Sequence, residues 1–357
     1  MAGTNFRNIA GIVVTISIFA TGLSVVLLRE MKSYRISGDR IDAHQWNDFI
    51  THSPQGCLYA IYEYISIIRP DWEAIIVEQN EEWKAVMPFC INKKGGYQSI
   101  PQPMLTQHWG IFMVPEANLP LRKSLSNAEA YISEIVPHFD DIDLFTQNFS
   151  PQFTYPLPFH WQGYELSVRY TYHLKLNQSE SELFAQISAP LRRQIKKAQN
   201  RDYSISNCED TRDLERLFEL NQQKGHQIVS NQGNQFEKIR AIGAFLTRSG
   251  KGIIQCVKDE QGTVLAVSVF AFFQGKALYL MGAYHPDHSN SGAGSWLMWE
   301  GIKESLSRNC EIFDFEGSMI KGVEHFFRKF GAYPVSYLQI YKNRLPLLVR
   351  WLQKLRS

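Results

Sequence analysis

Two carboxylates, Asp314 and Glu316, flank Phe315 in the run Ile312-Phe-Asp-Phe-Glu-Gly-Ser318. Phe313 and Phe315 alternate with them, the period-2 pattern of a strand with one apolar and one polar side. Gly317-Ser318 then reads as a sharp turn, and Val323, Phe326, Phe327 and Phe330 recur at helical spacing before a C-cap at Gly331. The spacing predicts a strand over 312–315, a helix over 319–329 and a strand over 335–341. Carboxylates at such a strand end can orient or deprotonate an amine. Backbone N–H groups of the turn and of the helix start can hold an anion or a developing oxyanion. The same residues also fit a plain strand–helix–strand unit, with Asp314 and Glu316 capping the helix or pairing with a lysine. Spacing alone does not choose between the two.

Two other stretches carry chemistry. Ser188 to Arg201 reads as a helix with Leu191, Ile195 and Ala198 as its buried stripe. Arg192, Arg193, Lys196 and Lys197 form a broad cationic face with no acid among them, suited to phosphate groups or simply to solvent. Asn290-Ser-Gly-Ala-Gly-Ser295 follows a strand and opens a helix, where successive N–H groups can cradle phosphate. Asn290, Gly292 and Gly294 are the candidate donor-loop residues. The loop lacks the lysine of a Walker A sequence and the third glycine of a dinucleotide fingerprint.

Other chemistries find little support. His285 and His288 share a loop but have no carboxylate–histidine cluster beside them, so no metal site is expected. Ser268 and Ser318 lack a Gly-x-Ser-x-Gly elbow. The cysteines Cys57, Cys90, Cys208, Cys256 and Cys310 are odd in number and widely separated, which suggests reduced thiols. A net charge of +2, from 37 basic and 35 acidic residues, argues against a general nucleic-acid coat and against DNA as a partner.

Positioning these residues takes a substantial scaffold. The chain has 357 residues, 44% hydrophobic and 13% aromatic, enough for two ordinary cores. After Met31, helices are expected over 42–53 and 58–68. Hairpin strands are expected over 73–78 and 83–91, with a turn at Lys93-Lys94-Gly95-Gly96. A Pro- and aromatic-rich loop spans 99–112, and a helix over 127–136 and a strand over 142–146 close the first half. The connector Pro151–His160 marks the boundary between domains. Beyond it come a long strand over 164–176 and the cationic helix, then helices over 211–223 and 234–248. Strands over 252–258, 264–273 and 277–284 and a helix over 296–307 complete a mixed sheet with helices on both faces.

The two ends are separate questions. Residues 9–28 carry no charge and are long enough for one membrane-crossing helix, with flanking charges that favour the bulk of the chain on the cytoplasmic side. The alternative is that Met31 is the true start. At the other end, residues 343–357 hold a Leu stripe and basic residues without an acid, a basic amphipathic helix that docks on the second domain or lies on an anionic membrane surface.

From about Tyr164 to Tyr341 the sequence resembles the second GNAT-type domain of the FemABX family, including its BioF2-like acyltransferase branch. The residues that carry it are Arg192-Arg-Gln-Ile-Lys-Lys-Ala198, Tyr279–Tyr284 leading into Gly292–Trp299, and Phe313-Asp-Phe-Glu-Gly-Ser318 followed by Phe326–Ala332. Ile100-Pro-Gln-Pro103 and Trp109-Gly-Ile-Phe112 resemble the degenerate first domain more loosely. The resemblance implies an α/β fold of two tandem GNAT-like domains, 31–155 and 156–342. It also implies acyl or aminoacyl transfer to an amine of a cell-envelope or peptidoglycan-type precursor. The donor would be aminoacyl-tRNA or acyl-CoA as co-substrate rather than a tightly bound cofactor, with tRNA and a lipid-linked precursor as partners. Asp314 and Glu316 are the expected catalytic residues. Arg192, Arg193, Lys196, Lys197, Gly317, Ser318, Arg328, Gln102 and Trp109 are the expected substrate contacts. Two departures stand out. Ser289 takes the Arg/Gln place of the donor loop, and Phe327 takes the place of a lysine in the family's Phe-Lys-x-x-Phe-Gly pattern. A soluble acyl-CoA N-acetyltransferase and a non-catalytic precursor- or tRNA-binding module are the rival readings.

Overall fold

A computed structural model describes residues 8–9, 12–19, 22–29, 31–116, 118–225, 234–317, 319–346 and 349–350. In chain order the first half contains β1 (Asn8–Ile9), β2 (Ile12–Phe19), β3 (Gly22–Arg29), β4 (Lys32–Ser37), α1 (Ala43–His52), α2 (Tyr62–Ile68), β5 (Glu73–Gln79), β6 (Glu82–Phe89), β7 (Asn92–Lys94), β8 (Tyr97–Ile100), β9 (Phe112–Met113), α3 (Leu121–Ile135) and β10 (Leu144–Asn148). The second half adds α4 (Leu157–Trp161), β11 (Glu165–Lys175), α5 (Glu180–Gln186), α6 (Ala189–Gln199), β12 (Ser204–Asn207), α7 (Arg212–Gln223), α8 (Gln235–Arg248), β13 (Gly252–Lys258), β14 (Val264–Phe273), β15 (Lys276–Tyr284), α9 (Ala293–Ser307), β16 (Ile312–Asp314), α10 (Lys321–Arg328) and β17 (Tyr333–Asn343).

Two sequence expectations give way. Residues 9–28 do not form one helix. Among the described residues there, Ile12–Phe19 and Gly22–Arg29 form the antiparallel pair β2–β3, in register from Ile12↔Arg29 to Phe19↔Gly22. Half of these twenty residues are Ile, Val or Thr, whose branched side chains favour strands over helices. Among the described residues no helix is long and apolar enough to cross a membrane. The helix expected over 58–68 is also split, into a 3-10 turn at Leu58–Ala60 and α2. The carbonyls of Tyr59 and Ala60 turn aside to accept from the indoles of Trp109 (3.0 Å) and Trp46 (2.7 Å), so Ile61 is extended. The basic helix expected over 343–357 lies mostly outside the described residues.

The strands build two large sheets. β4-β5-β6-β9 is antiparallel and belongs to the first half. The long sheet runs β12-β13-β14-β15-β16-β11-β17-β10-β8-β7, so three strands that precede residue 155 extend the sheet of the second half. β17 is the shared member, paired with β11 on one side and with β10 on the other. One core joins the halves: Trp46, Tyr64 and Ile65 pack in the same cluster as Leu217, Ile242 and Val267. Each such side chain contributes roughly 1.5–3 kcal/mol by leaving water, so the junction between the halves is a packed interior.

One irregularity positions the site. β15 and β16 are parallel but pair only over Lys276↔Ile312, Ala277↔Phe313 and Leu278↔Asp314. β16 ends there, and the chain turns toward β11, with Phe315 N–H donating to the Tyr172 carbonyl (2.9 Å). β15 runs on to Tyr284, with a register shift against β14 between Val269 and Phe270 that leaves Leu280 without a partner. The carboxyl ends of the two strands therefore part, and among the described residues no strand pairs with the β16-side edge of β15 beyond Leu278. In open α/β sheets such a crevice at the carboxyl ends is where ligands bind.

Candidate functional site

Asp314 lies at the point where β15 and β16 separate, and it is buried to 4% exposure. The register places it across from His173 on β11, and Thr171, two residues earlier, shares that face. Its carboxylate accepts from Thr171 Oγ1 (2.5 Å), His173 Nε2 (3.1 Å) and the N–H of Glu316 (2.8 Å). Burial alone would raise this carboxyl. His173, Thr171 and the Glu316 amide outweigh it and hold Asp314 below the ordinary carboxylate value. An ionised Asp314 fixes the His173 tautomer with hydrogen on Nε2, the arrangement by which a buried aspartate orients a general base.

Glu316, two residues on, is its opposite. Its backbone sits at φ 58°, in the left-handed region. Such strain in a non-glycine residue costs on the order of 1–3 kcal/mol and gathers at functional sites. The side chain is half-buried, but Oε1 is enclosed with no hydrogen-bond partner. Burial pushes its carboxyl well above the usual carboxylate range, so it carries a proton in conditions where Asp314 does not.

The first half of the chain closes the site from the other side. A cavity of about 20 Å³, room for one water, is lined by Cys57, Tyr59 and His108 from that half and by His173, Lys276 and Asp314 from the other. The Tyr59 hydroxyl and His108 Nδ1 are buried without partners. The Tyr59 ring meets His108 edge-on at 5.4 Å, and His108 lies 6.3 Å from the Tyr337 ring. Burial pushes the His108 imidazole down to about 4, which keeps it neutral at physiological pH. Burial also pushes the Cys57 thiol up to about 12, so it is no nucleophile. Unpaired buried polar atoms each cost about 1–3 kcal/mol, and two of them on the residues that line the cavity with Asp314 mark a place prepared for a polar group.

The residues singled out in the sequence fall into three groups. Asp314, Glu316 and Gly317 are together. A Cβ on Gly317 would lie 2.0 Å from the Tyr170 carbonyl oxygen, so only glycine lets the chain pass β11 here. Its N–H donates to Thr171 Oγ1 (3.0 Å) and is therefore committed to holding the network. Ser318 lies outside the described residues.

The donor-loop and cationic residues form a second group beside α9. Gly292 caps α9 at φ 81°, and a Cβ there would sit 2.9 Å from the Gln194 carbonyl oxygen of α6. Asn290 is exposed and Gly294 half-buried, and the first-turn N–H groups of α9 lack acceptors within the helix. On α6, Arg192 Nη1 donates to the carbonyls of Ala185 and Ile187 and so caps α5. Arg193, Lys196 and Lys197 are exposed, and no ion pair engages them among the described residues. Lys196 lies 5.8 Å over the Phe184 ring and lines a shallow surface groove with Phe184 and Trp299.

The third group is already engaged elsewhere, Gln102 and Trp109 in the interior and Arg328 on an exposed helix face. Gln102 is bound to Thr106 and to the Asn148 amide, and Trp109 is wholly buried in the core that joins the halves. Arg328 pairs with Glu324 on its own helix (2.9 Å). Phe327, in the place of the family's lysine, is buried among Phe315 (5.0 Å), Tyr172 (6.3 Å) and Tyr279 (6.4 Å). It walls the gap between the parted strands with an apolar ring.

Sequence reading missed Thr171, His173, Tyr59 and His108. His173 sits in a run that reads as a strand and nothing more, and only the pairing with β16 brings it to Asp314. For Tyr59 and His108 no local signal exists, because their roles depend on how the two halves pack.

Residues 187–328 match the family described as acetyltransferase (GNAT) domain. No curated protein matches the sequence. Among solved structures, the crystal structure of FemX aligns with a TM-score of 0.63 at 13% identity, covering 85% of this chain and 96% of that one. A conserved protein of unknown function from Bacteroides thetaiotaomicron aligns with a TM-score of 0.55 at 11% identity, covering 88% and 100%. A tandem GNAT protein from the clavulanic acid biosynthesis pathway aligns with a TM-score of 0.53 at 12% identity, covering 89% and 99%. At these identities the likeness is one of fold, and that fold is the tandem GNAT arrangement.

Proposed function

We propose that this chain, which carries a GNAT acyltransferase domain within a FemX-like tandem fold, transfers an acyl or aminoacyl group from a phosphate-bearing carrier to an amine of a cell-envelope or peptidoglycan-type precursor. The observation that carries the reading is the open edge of β15, which leads from the α9 N-terminus to the Asp314–His173 pair. An extended donor arm can add to that edge through the unpaired backbone. Its phosphates then meet the Gly292–Gly294 loop, where the helix dipole and first-turn N–H groups favour anions, although Ala293 N–H already donates to Ser291 Oγ, with Arg193, Lys196 and Lys197 beside it. The acceptor enters between the halves, where Tyr59 and His108 offer buried polar atoms.

In the reaction the amine nitrogen attacks the donor carbonyl and a C–N bond forms. The carrier's C–O or C–S bond breaks, and its oxygen or sulfur leaves with a proton. His173, held by Asp314, takes the proton the amine must lose. Glu316, protonated and desolvated, supplies a hydrogen bond to the oxyanion as charge develops. Phe327 favours acyl-CoA as the donor over aminoacyl-tRNA, because an apolar wall replaces a cation in the gap where the donor arm lies.

Purified protein incubated with acetyl-CoA, aminoacyl-tRNA and lipid-linked muropeptide, followed by mass analysis of the acceptor, tests the reading. An acyl adduct on the acceptor amine supports it. Free CoA with an acetylated small amine or sugar points to the N-acetyltransferase. Saturable binding of these compounds with no turnover from either donor overturns catalysis and leaves a binding module.

A further inference from the structure

Cys208, Asp213 and Cys256 meet at the far edge of the long sheet, with their ligand atoms all within 4.8 Å of one another. None of them lines the Asp314 opening. Cys256 is on β13, Cys208 follows β12, and Asp213 lies in the first turn of α7. Cys256 is buried while Cys208 and Asp213 are half-buried, so solvent reaches two of the three. Ser206 Oγ lies 3.4 Å from Cys256 Sγ, and Lys258 Nζ lies 3.7 Å from the Asp213 carboxylate.

The strand register separates two readings of the thiol pair. Ser206 is opposite Cys256, and Cys208 N–H donates to the Ile254 carbonyl (2.8 Å). The cysteines are therefore diagonal neighbours on one face, a relation that puts residues about 7–8 Å apart. A disulfide closes at about 4.4–6.8 Å between Cα atoms, so a direct bond would drag the edge strand. An ion with metal–sulfur bonds of about 2.3 Å holds two sulfurs about 3.8 Å apart and needs no such movement.

We infer that Cys208, Cys256 and Asp213 form a site for a thiophilic divalent cation, Zn²⁺ or its analogue Cd²⁺, with water as the fourth ligand. Two thiolates and a carboxylate are a donor set of the softness zinc prefers, and three protein ligands leave one tetrahedral position open. The charges close: three negative ligands against a dication leave one negative charge, which the Lys258 ammonium offsets. Binding releases the proton of each thiol that still carries one. The bound ion ties the start of α7 to the β12 edge, so it stabilises the fold by mass action. The other cysteines do not compete. Cys57 and Cys90 are buried with thiols pushed up to about 12, and Cys310 is raised by burial too.

The test uses the full chain, reduced and stripped with chelator, titrated with Cd²⁺ while thiolate-to-cadmium charge-transfer absorption is followed. The expected result is saturation at one equivalent, reversal by Zn²⁺, and a rise in unfolding temperature with Zn²⁺. Cys208→Ser and Cys256→Ser should each abolish the band. Asp213→Asn, at a half-exposed position that leaves the core intact, should keep the band while weakening affinity at least about tenfold. Absence of a stoichiometric band, a band undiminished in the double serine variant, or a Cys208–Cys256 disulfide formed by oxidised glutathione without metal uptake would overturn the assignment.

Discussion

The α6 face and the Asp314 strand end are charged regions of the same half, and they handle charge in opposite ways. On α6, Arg193, Lys196 and Lys197 stand in solvent, with no carboxylate partner among the described residues. Their influence is a field that salt screens over about 8 Å at physiological ionic strength. At Asp314 the carboxylate is enclosed, and its hydrogen bonds come from three separate groups. A low dielectric makes each of those bonds count and fixes their direction. The first region can gather a ligand, and the second can direct a proton. Changing one should therefore move binding, and changing the other should move turnover.

Asp314→Asn is the sharpest way to break that contrast. Asparagine keeps the shape but loses the charge, and it places an amide NH₂ where three donors converge. Loss of an oriented base should lower kcat by about 10²–10⁴, with little change in KM. A kcat within twofold of the parent, or a fall confined to KM, would make the Asp314–His173 pair a structural pin. His173→Gln should repeat the loss.

Replacing Arg193, Lys196 and Lys197 together by Gln should act on binding alone. Three exposed charges at roughly 0.5 kcal/mol each amount to about a tenfold rise in KM for the phosphate-bearing donor at low salt. That difference should fade as salt rises, while kcat stays put. Arg192 is left in place because it caps α5. A salt-independent KM in the variant and the parent alike would make the face a solvated surface.

The same contrast explains what the sequence reveals. The cationic face is legible because a helical run puts its charges side by side within one turn, and exposure needs no partner. The strand–turn–helix at 312–331 is legible for a related reason: alternation, a turn and helical spacing are local. β13 and β14 match their expected spans residue for residue, since their boundaries are turns written in Gly and Asp. The site itself is not local. His173 joins Asp314 across 141 residues, and Tyr59 and His108 arrive from the other half of the chain. α5 was missed although Ser179 and Glu182 spell its capping box. The membrane helix expected over 9–28 failed for a physical reason, because length and lack of charge cannot distinguish a helix from a pair of β-branched strands.

Glu316→Gln offers the finest test, because it sets the two carboxylates of one strand end against each other. Burial holds the Glu316 carboxyl above its unfolded value of about 4.5. The folded chain therefore keeps a proton that the unfolded chain gives up. The stability this lends is complete below about pH 4.5 and is lost as pH rises through the folded value. Asp314 runs the other way. Its folded value is depressed, so its contribution is present above about pH 3.8 and is lost as pH falls through the folded value. Glutamine copies the protonated acid and has nothing to release. Glu316→Gln should match the parent in unfolding temperature near pH 4 and exceed it by a margin that widens toward neutral and alkaline pH. Its kcat should stay close to the parent's where Glu316 is protonated, since an amide N–H can still meet the oxyanion. A variant that is less stable than the parent at alkaline pH would mean that Glu316 is ionised and paired in the folded protein, which would remove it from the role of hydrogen-bond donor.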